Sequence, residues 1–166
     1  MRAVKPIAWI VALGVVGLAA SGAFAADAGW GLQFHYEAFE DATYPVAVMQ
    51  EQTDGMSFDA ANLFIACHDS QPALFWQSGQ LKFDAAPETV RFRGSEGPVA
   101  FEFKSLDFVP FGKHLAIEGP DAQSLLGIFS SATGLVPYQT EAKSGNFQSA
   151  GFDKVLAIMA SECATF

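Results

Sequence analysis

Positive charge and cysteine are both scarce in this chain: nine Lys and Arg stand against 18 Asp and Glu, and Cys67 and Cys163 are the only cysteines. A shortage of cations excludes binding modes that work by neutralising phosphates, so neither nucleic acid nor an anionic lipid surface is an expected partner. Two cysteines in a chain of this length exclude a disulfide-dense miniprotein. Several chemical signatures are missing as well. There is no phosphate-cradling glycine loop, no dinucleotide fingerprint, no G-x-S-x-G elbow and no paired His/Cys spacing of a zinc site. No cofactor is expected, and no residue is identified as catalytic.

What is present begins with a leader. Arg2 and Lys5 precede an uncharged stretch over residues 7–20, and Ala23 and Ala25 then supply the small residues of an A-x-A cleavage site. This is the order of a cleavable signal peptide over residues 1–25. The rival reading, a retained membrane anchor, has about the right length but also the A-x-A end, so no membrane span is expected to remain after cleavage. Removing the leader leaves residues 26–166 as a single domain of 141 residues, with seven basic and 18 acidic residues and a net charge of −11. That length supports one real hydrophobic core. The expected location is the periplasm or the exterior.

In an oxidising compartment an even pair of cysteines is expected to form a bridge. The local patterns agree. Strand alternation places Leu63, Ile65 and Cys67 on one face, while Phe152, Val155, Leu156, Met159 and Cys163 recur at helical spacing, so both thiols point toward one core.

Alternation marks further strands. Trp30, Leu32, Phe34 and Tyr36 form the apolar side of one, and residues 44–52 read as another. Segments 63–67 and 73–77 read as a hairpin around a loop at 68–72. Residues 88–104 read as a second hairpin around Gly94 to Pro98, in a register that sets Arg91 opposite Glu102. A short strand over 114–118 leads to Gly119-Pro120-Asp121, a helix opening, and residues 135–141 read as a strand that Pro137 confines to an edge. A last helix is expected from about Ser149 or Ala150 to Cys163. The fold class is therefore mainly β: an antiparallel, sandwich-like domain with two helices late in the chain, with α+β as the alternative.

Candidate functional residues are few. His35, His68 and His114 read as surface or turn residues, and His68 with Asp69 is the pair that comes nearest to a metal site. Glu40-Asp41 reads as solvated loop charge. Phenylalanine is over-represented, and most of it is explained by inward strand faces. Phe108 and Phe111 instead flank Pro110 in loop-like sequence, where exposed apolar residues can form a partner surface.

From about Leu63 onward the chain resembles small exported bacterial proteins of the type VI secretion-associated VasI/TagO group and of the invasion-associated locus B group. The likeness rests on Leu63-x-Ile65-x-Cys67, the aromatic strand from Leu74 to Trp76, and Phe147-x-Ser149-x-Gly151-Phe152 leading into a cysteine-ended helix. It implies a periplasmic, non-enzymatic accessory or interaction protein of the cell envelope, and no catalytic residue carries over. The expected function is the same, with an envelope protein as partner. A small apolar ligand or a metal bound by the domain is the alternative, and an exported hydrolase the third reading.

Overall fold

The computed structural model describes residues 29–37, 41–53, 59–79, 86–108 and 112–163. The leader expected over residues 1–25 lies outside them. Among the described residues the alternating segments form nine strands: β1 (Gly31–Glu37), β2 (Ala42–Gln50), β3 (Ala61–His68), β4 (Gln71–Ser78), β5 (Glu88–Gly94), β6 (Gly97–Phe108), β7 (Gly112–Ile117), β8 (Leu135–Gln139) and β9 (Ser144–Gln148). Two helices, α1 (Gly119–Ser131) and α2 (Phe152–Glu162), come late in the chain. Every strand pairing is antiparallel, in the order β1-β2-β3-β4-β7-β6-β5-β8-β9. The domain is mainly β with two late helices, as the alternation implies.

The sheet folds over on itself. β4 and β9 are five strand positions apart, which in a flat sheet would separate them by about 24 Å. Yet the rings of Trp76 on β4 and Phe147 on β9 have centroids 6.1 Å apart, and Trp76 lies 5.1 Å from Tyr138 on β8. β6 makes the bend possible, since its first half pairs with β5 and its second half, from Lys104, pairs with β7. The two halves enclose one aromatic core in which Trp76, Phe92, Phe101, Phe103 and Phe147 are almost wholly buried.

The helices fill the same concave side. Pro120 and Asp121 open α1, where a missing N–H costs nothing and an acid favours the helix N-terminus. Its buried stripe of Ala122, Leu125, Leu126 and Phe129 lies over β4 and β5. α2 lies over β2 and β3 through Phe152, Val155 and Met159. Trp30 joins the two helices, with ring centroids 5.2 Å from both Phe129 and Phe152. A disulfide between Cys67, near the end of β3, and Cys163, just after α2, closes a span of 96 residues with Cα atoms 5.5 Å apart. In the chain-entropy account such a loop closure stabilises by about 4–5 kcal/mol.

Three local expectations are corrected. Arg91 faces Ala100, and Glu102 faces Thr89, so the two charges are diagonal on one face rather than opposite. Glu102 pairs instead with Lys104 on its own strand, at 3.1 Å. The loop expected over 68–72 is a two-residue turn, Asp69-Ser70, both with positive φ, which suits the twist of a tight hairpin. The strand holding Pro137 is not at an edge. β9 lies outside it, and Pro137 is tolerated because the register of β8 with β5 covers only Tyr138 and Gln139. The same strand β9 delays α2 to Phe152.

Candidate interaction surface

The alternation in β1 puts Leu32, Phe34 and Tyr36 on the face that the helices cover elsewhere, but the cover stops short. Leu32 faces Ala47, which faces Ile65 in turn. Two residues further along, Phe34 faces Pro45, level with Cys67, whose bond to Cys163 marks the end of α2. Leu32 accordingly packs against the core, whereas Phe34 is 66% and Tyr36 57% exposed. Both had been expected to lie on the apolar side of a half-buried strand. Periodicity sets which face a side chain takes, and only the third dimension sets how far the covering helix reaches.

Pairing isolates the same region. The register between β2 and β3 runs only from Ala47 to Gln50, while β1 follows β2 down to Ala42. Residues 42–46 thus pair with β1 alone and form a two-stranded arm, although its base is packed down: Pro45 and Val46 are buried, Val46 in a cluster with Ala66, Ala73 and Phe75. Pro45 sits within this stretch and lacks the N–H that a further ladder would use. Tyr36 donates from its hydroxyl to Asp41 Oδ1 at 2.8 Å, bracing the tip of the arm. A two-stranded ribbon is marginal in water by itself, and more than half of the Phe34 and Tyr36 surface on this one stays in solvent.

At the opposite end of the sheet lies a buried polar cluster that the sequence reading missed. Glu51, directly after β2, accepts a hydrogen bond at Oε2 from the Ala61 N–H at 2.9 Å and from Lys143 Nζ at 2.7 Å. Lys143 Nζ also donates to the Asp59 carbonyl at 2.6 Å. Only 8% of the Glu51 side chain and 28% of the Lys143 side chain are exposed. The Tyr138 hydroxyl is buried beside the Glu51 carboxylate without a hydrogen bond of regular geometry, and Trp76 Nε1 donates to Glu88 Oε2 at 2.9 Å. Burial works to raise the Glu51 pKa, but the bonds from Lys143 and Ala61, the nearby Tyr138 hydroxyl and the Lys143 charge together outweigh it and hold the carboxyl below its ordinary value. Burial first, then the Glu51 and Glu88 carboxylates, push the Tyr138 phenol up, so it stays protonated. A Cβ on Gly145 would fall on the Glu51 carboxylate, which explains glycine there. The cluster ties the segment after β2 to the β8–β9 turn and is a latch. An acid inside the strand expected over residues 44–52 was its only trace in the sequence.

The other candidates sit apart. Phe111 lies outside the described residues, and so does the side chain of Phe108, whose backbone pairs with Gly112. His68 Nδ1 meets Glu118 Oε1 at 2.6 Å, so the acid beside it in space is Glu118, which precedes α1, while Asp69 turns the β3–β4 hairpin. Among the described residues no three His, Cys, Asp or Glu side chains are grouped to hold a metal ion. His114 Nδ1 approaches the Gly112 carbonyl at 3.3 Å. The described part of the molecule has shallow concave regions. A groove of about 460 Å³ runs between α1 and α2 past Leu126, Gly127, Leu156 and Ala157. A polar hollow of about 280 Å³ lies beside Glu102, Lys104, Glu118 and Asp121. Neither is lined by a histidine. No described helix is long and apolar enough to cross a membrane.

No protein-family model, no curated protein and no solved structure matches this chain.

Proposed function

We propose that the protein is a non-enzymatic interaction domain of the bacterial cell envelope, exported and disulfide-bonded, that holds a protein partner through the β1–β2 arm. The observation that carries this reading is the exposure of Phe34 and Tyr36 on a strand whose outer edge pairs with no other strand among the described residues. Among the described residues these two are the most exposed of the large apolar side chains, and an exposed aromatic pair contributes to association rather than to folding. Export is supported by the leader-like residues 1–25, by the disulfide, and by the resemblance of Leu63-x-Ile65-x-Cys67 and the cysteine-ended helix to exported envelope proteins. Reading it as a ligand or metal binder has weaker support, since His68 is engaged by Glu118.

A photo-crosslinking residue placed at position 34 tests this in producing cells, with position 158 on the outer side of α2 as control. Ile158 is also exposed, at 42%. The expected result is a covalent adduct with one envelope protein from position 34 and none from 158. No adduct at 34, or the same adduct at both positions, overturns the reading.

A further inference from the structure

Resting on the arm as partner surface, we infer that its occupant is an extended, cationic peptide segment that adds to β1 as a tenth strand. Three features of the molecule converge on that chemistry.

The first is the backbone. β1 offers seven residues in unbroken register with β2, without a bulge, and its outer side meets no other strand among the described residues. Natural edge strands are usually guarded by Lys, Pro, a bulge or short length. β1 has none of these. From Gly31 to Tyr36 it carries no Lys, Arg, Pro or carboxylate. An edge left without such guards accepts main-chain hydrogen bonds from an incoming strand.

The second feature is the spacing of Phe34 and Tyr36. Two residues apart on one face, they match the period of an added strand, whose alternate side chains would stand directly beside the two rings. The exposed faces of the rings therefore select for apolar or long-stemmed side chains at every second position, and an aromatic face also attracts Lys and Arg.

Charge supplies the third. Between Pro6 and Leu81 the chain has no Lys or Arg at all, while eight Asp and Glu fall in the same stretch. All of β1 to β4 lies inside it. Asp41 at the arm tip and Asp69 at the β3–β4 turn are both exposed at the end of the sheet where β1 finishes, and Glu118 lies at that end too. A second copy would bring the same acids against themselves, so the complementary occupant is a different chain bearing Lys or Arg.

The test selects random 12-residue peptides displayed on phage against the full, disulfide-bonded chain, then synthesises the enriched sequences. The expected peptides carry Lys or Arg at alternate positions with β-branched or aromatic residues between. They should protect the amides of Gly31–Glu37 from hydrogen exchange, and lose about tenfold in affinity on Phe34→Ser with Tyr36→Ser. N-methylation of alternate backbone amides in the peptide should abolish binding, and raising salt from low to physiological strength and beyond should weaken it. The single variant Phe34→Ser serves if the double variant folds poorly. Enriched peptides that are neutral or acidic, or that bind without protecting β1, overturn the cationic strand while leaving the arm as the surface. Peptides that bind the double variant as well as the wild type, or no enrichment at all, overturn the arm itself.

Discussion

The two outermost strands of the sheet have opposite fates. β9 is short, its flank is met by the segment after β2, and Trp30 bonds the chain just beyond its end. Gln52 donates its N–H to the Asn146 carbonyl at 2.9 Å and accepts from Gln148 Nε2 at 2.9 Å, while Trp30 donates to the Ala150 carbonyl at 2.8 Å. Its Phe147 is wholly buried, and the Glu51–Lys143 pair clamps the turn that precedes it. β1 is longer, has no strand on its outer side among the described residues, and shows two rings to solvent. The folding of the sheet brings one edge against its own chain and leaves the other without a strand beside it among the described residues. Substitutions at the β9 end should therefore cost stability, and those at the tip of β1 should cost binding.

The largest effect is expected at the disulfide, which ties the end of α2 to the end of β3. Cys67→Ser with Cys163→Ser should lower the unfolding free energy by about 4–5 kcal/mol, measured by urea titration, with no further loss on adding reductant. Phe147→Ala should follow at about 3–4 kcal/mol, since it leaves a cavity among Trp76, Phe92 and Tyr138. Lys143→Met strands the buried Glu51 carboxylate and should cost about 2 kcal/mol, reduced from a fully buried pair by the partial exposure of Lys143. The sign of its pH dependence follows from the pKa shift. Because folding holds Glu51 below its ordinary value of 4.5, the stabilisation is complete above that pH and disappears as pH falls through the folded-state value. Wild type should thus lose stability between pH 6 and pH 3 more steeply than Glu51→Gln, and equal slopes would remove the latch. At the other end of the scale, Phe34→Ser with Tyr36→Ser should change stability by no more than about 0.5 kcal/mol. A larger loss would mean that β1 is part of the core, and the contrast between the edges would fail.

How much of this was legible in the sequence divides along the same line. Strand alternation located eight of the nine strands, and the periodicities around Cys67 and Cys163 placed both sulfurs on inward faces, where they meet. Short-range chemistry encodes such features. The ninth strand, β9, was missed because Ser144-Gly145-Asn146-Phe147-Gln148 has one strong apolar residue and no alternation to speak of. Its place is fixed by the β8 hairpin and by Phe147 reaching Trp76. The Arg91–Glu102 register failed for a related reason, since face alternation fixes a register only to within two residues and the Ser95-Glu96 turn settled it. The open surface was invisible because Phe34 and Tyr36 continue the pattern of Trp30 and Leu32 without a break. Nothing local signals that α2 ends level with Pro45. Phe108 and Phe111, singled out in the sequence as apolar loop residues, gave no view of the β1 edge at all.

Residue-resolved hydrogen exchange of the free protein tests the contrast between the two edges most directly. The account predicts that the amides of β1 on the side away from β2 exchange at rates near those of exposed chain, while those of β9 and of Gln52 are protected by the fold. Uniform protection along β1, or exchange in β9 as fast as in β1, would contradict it.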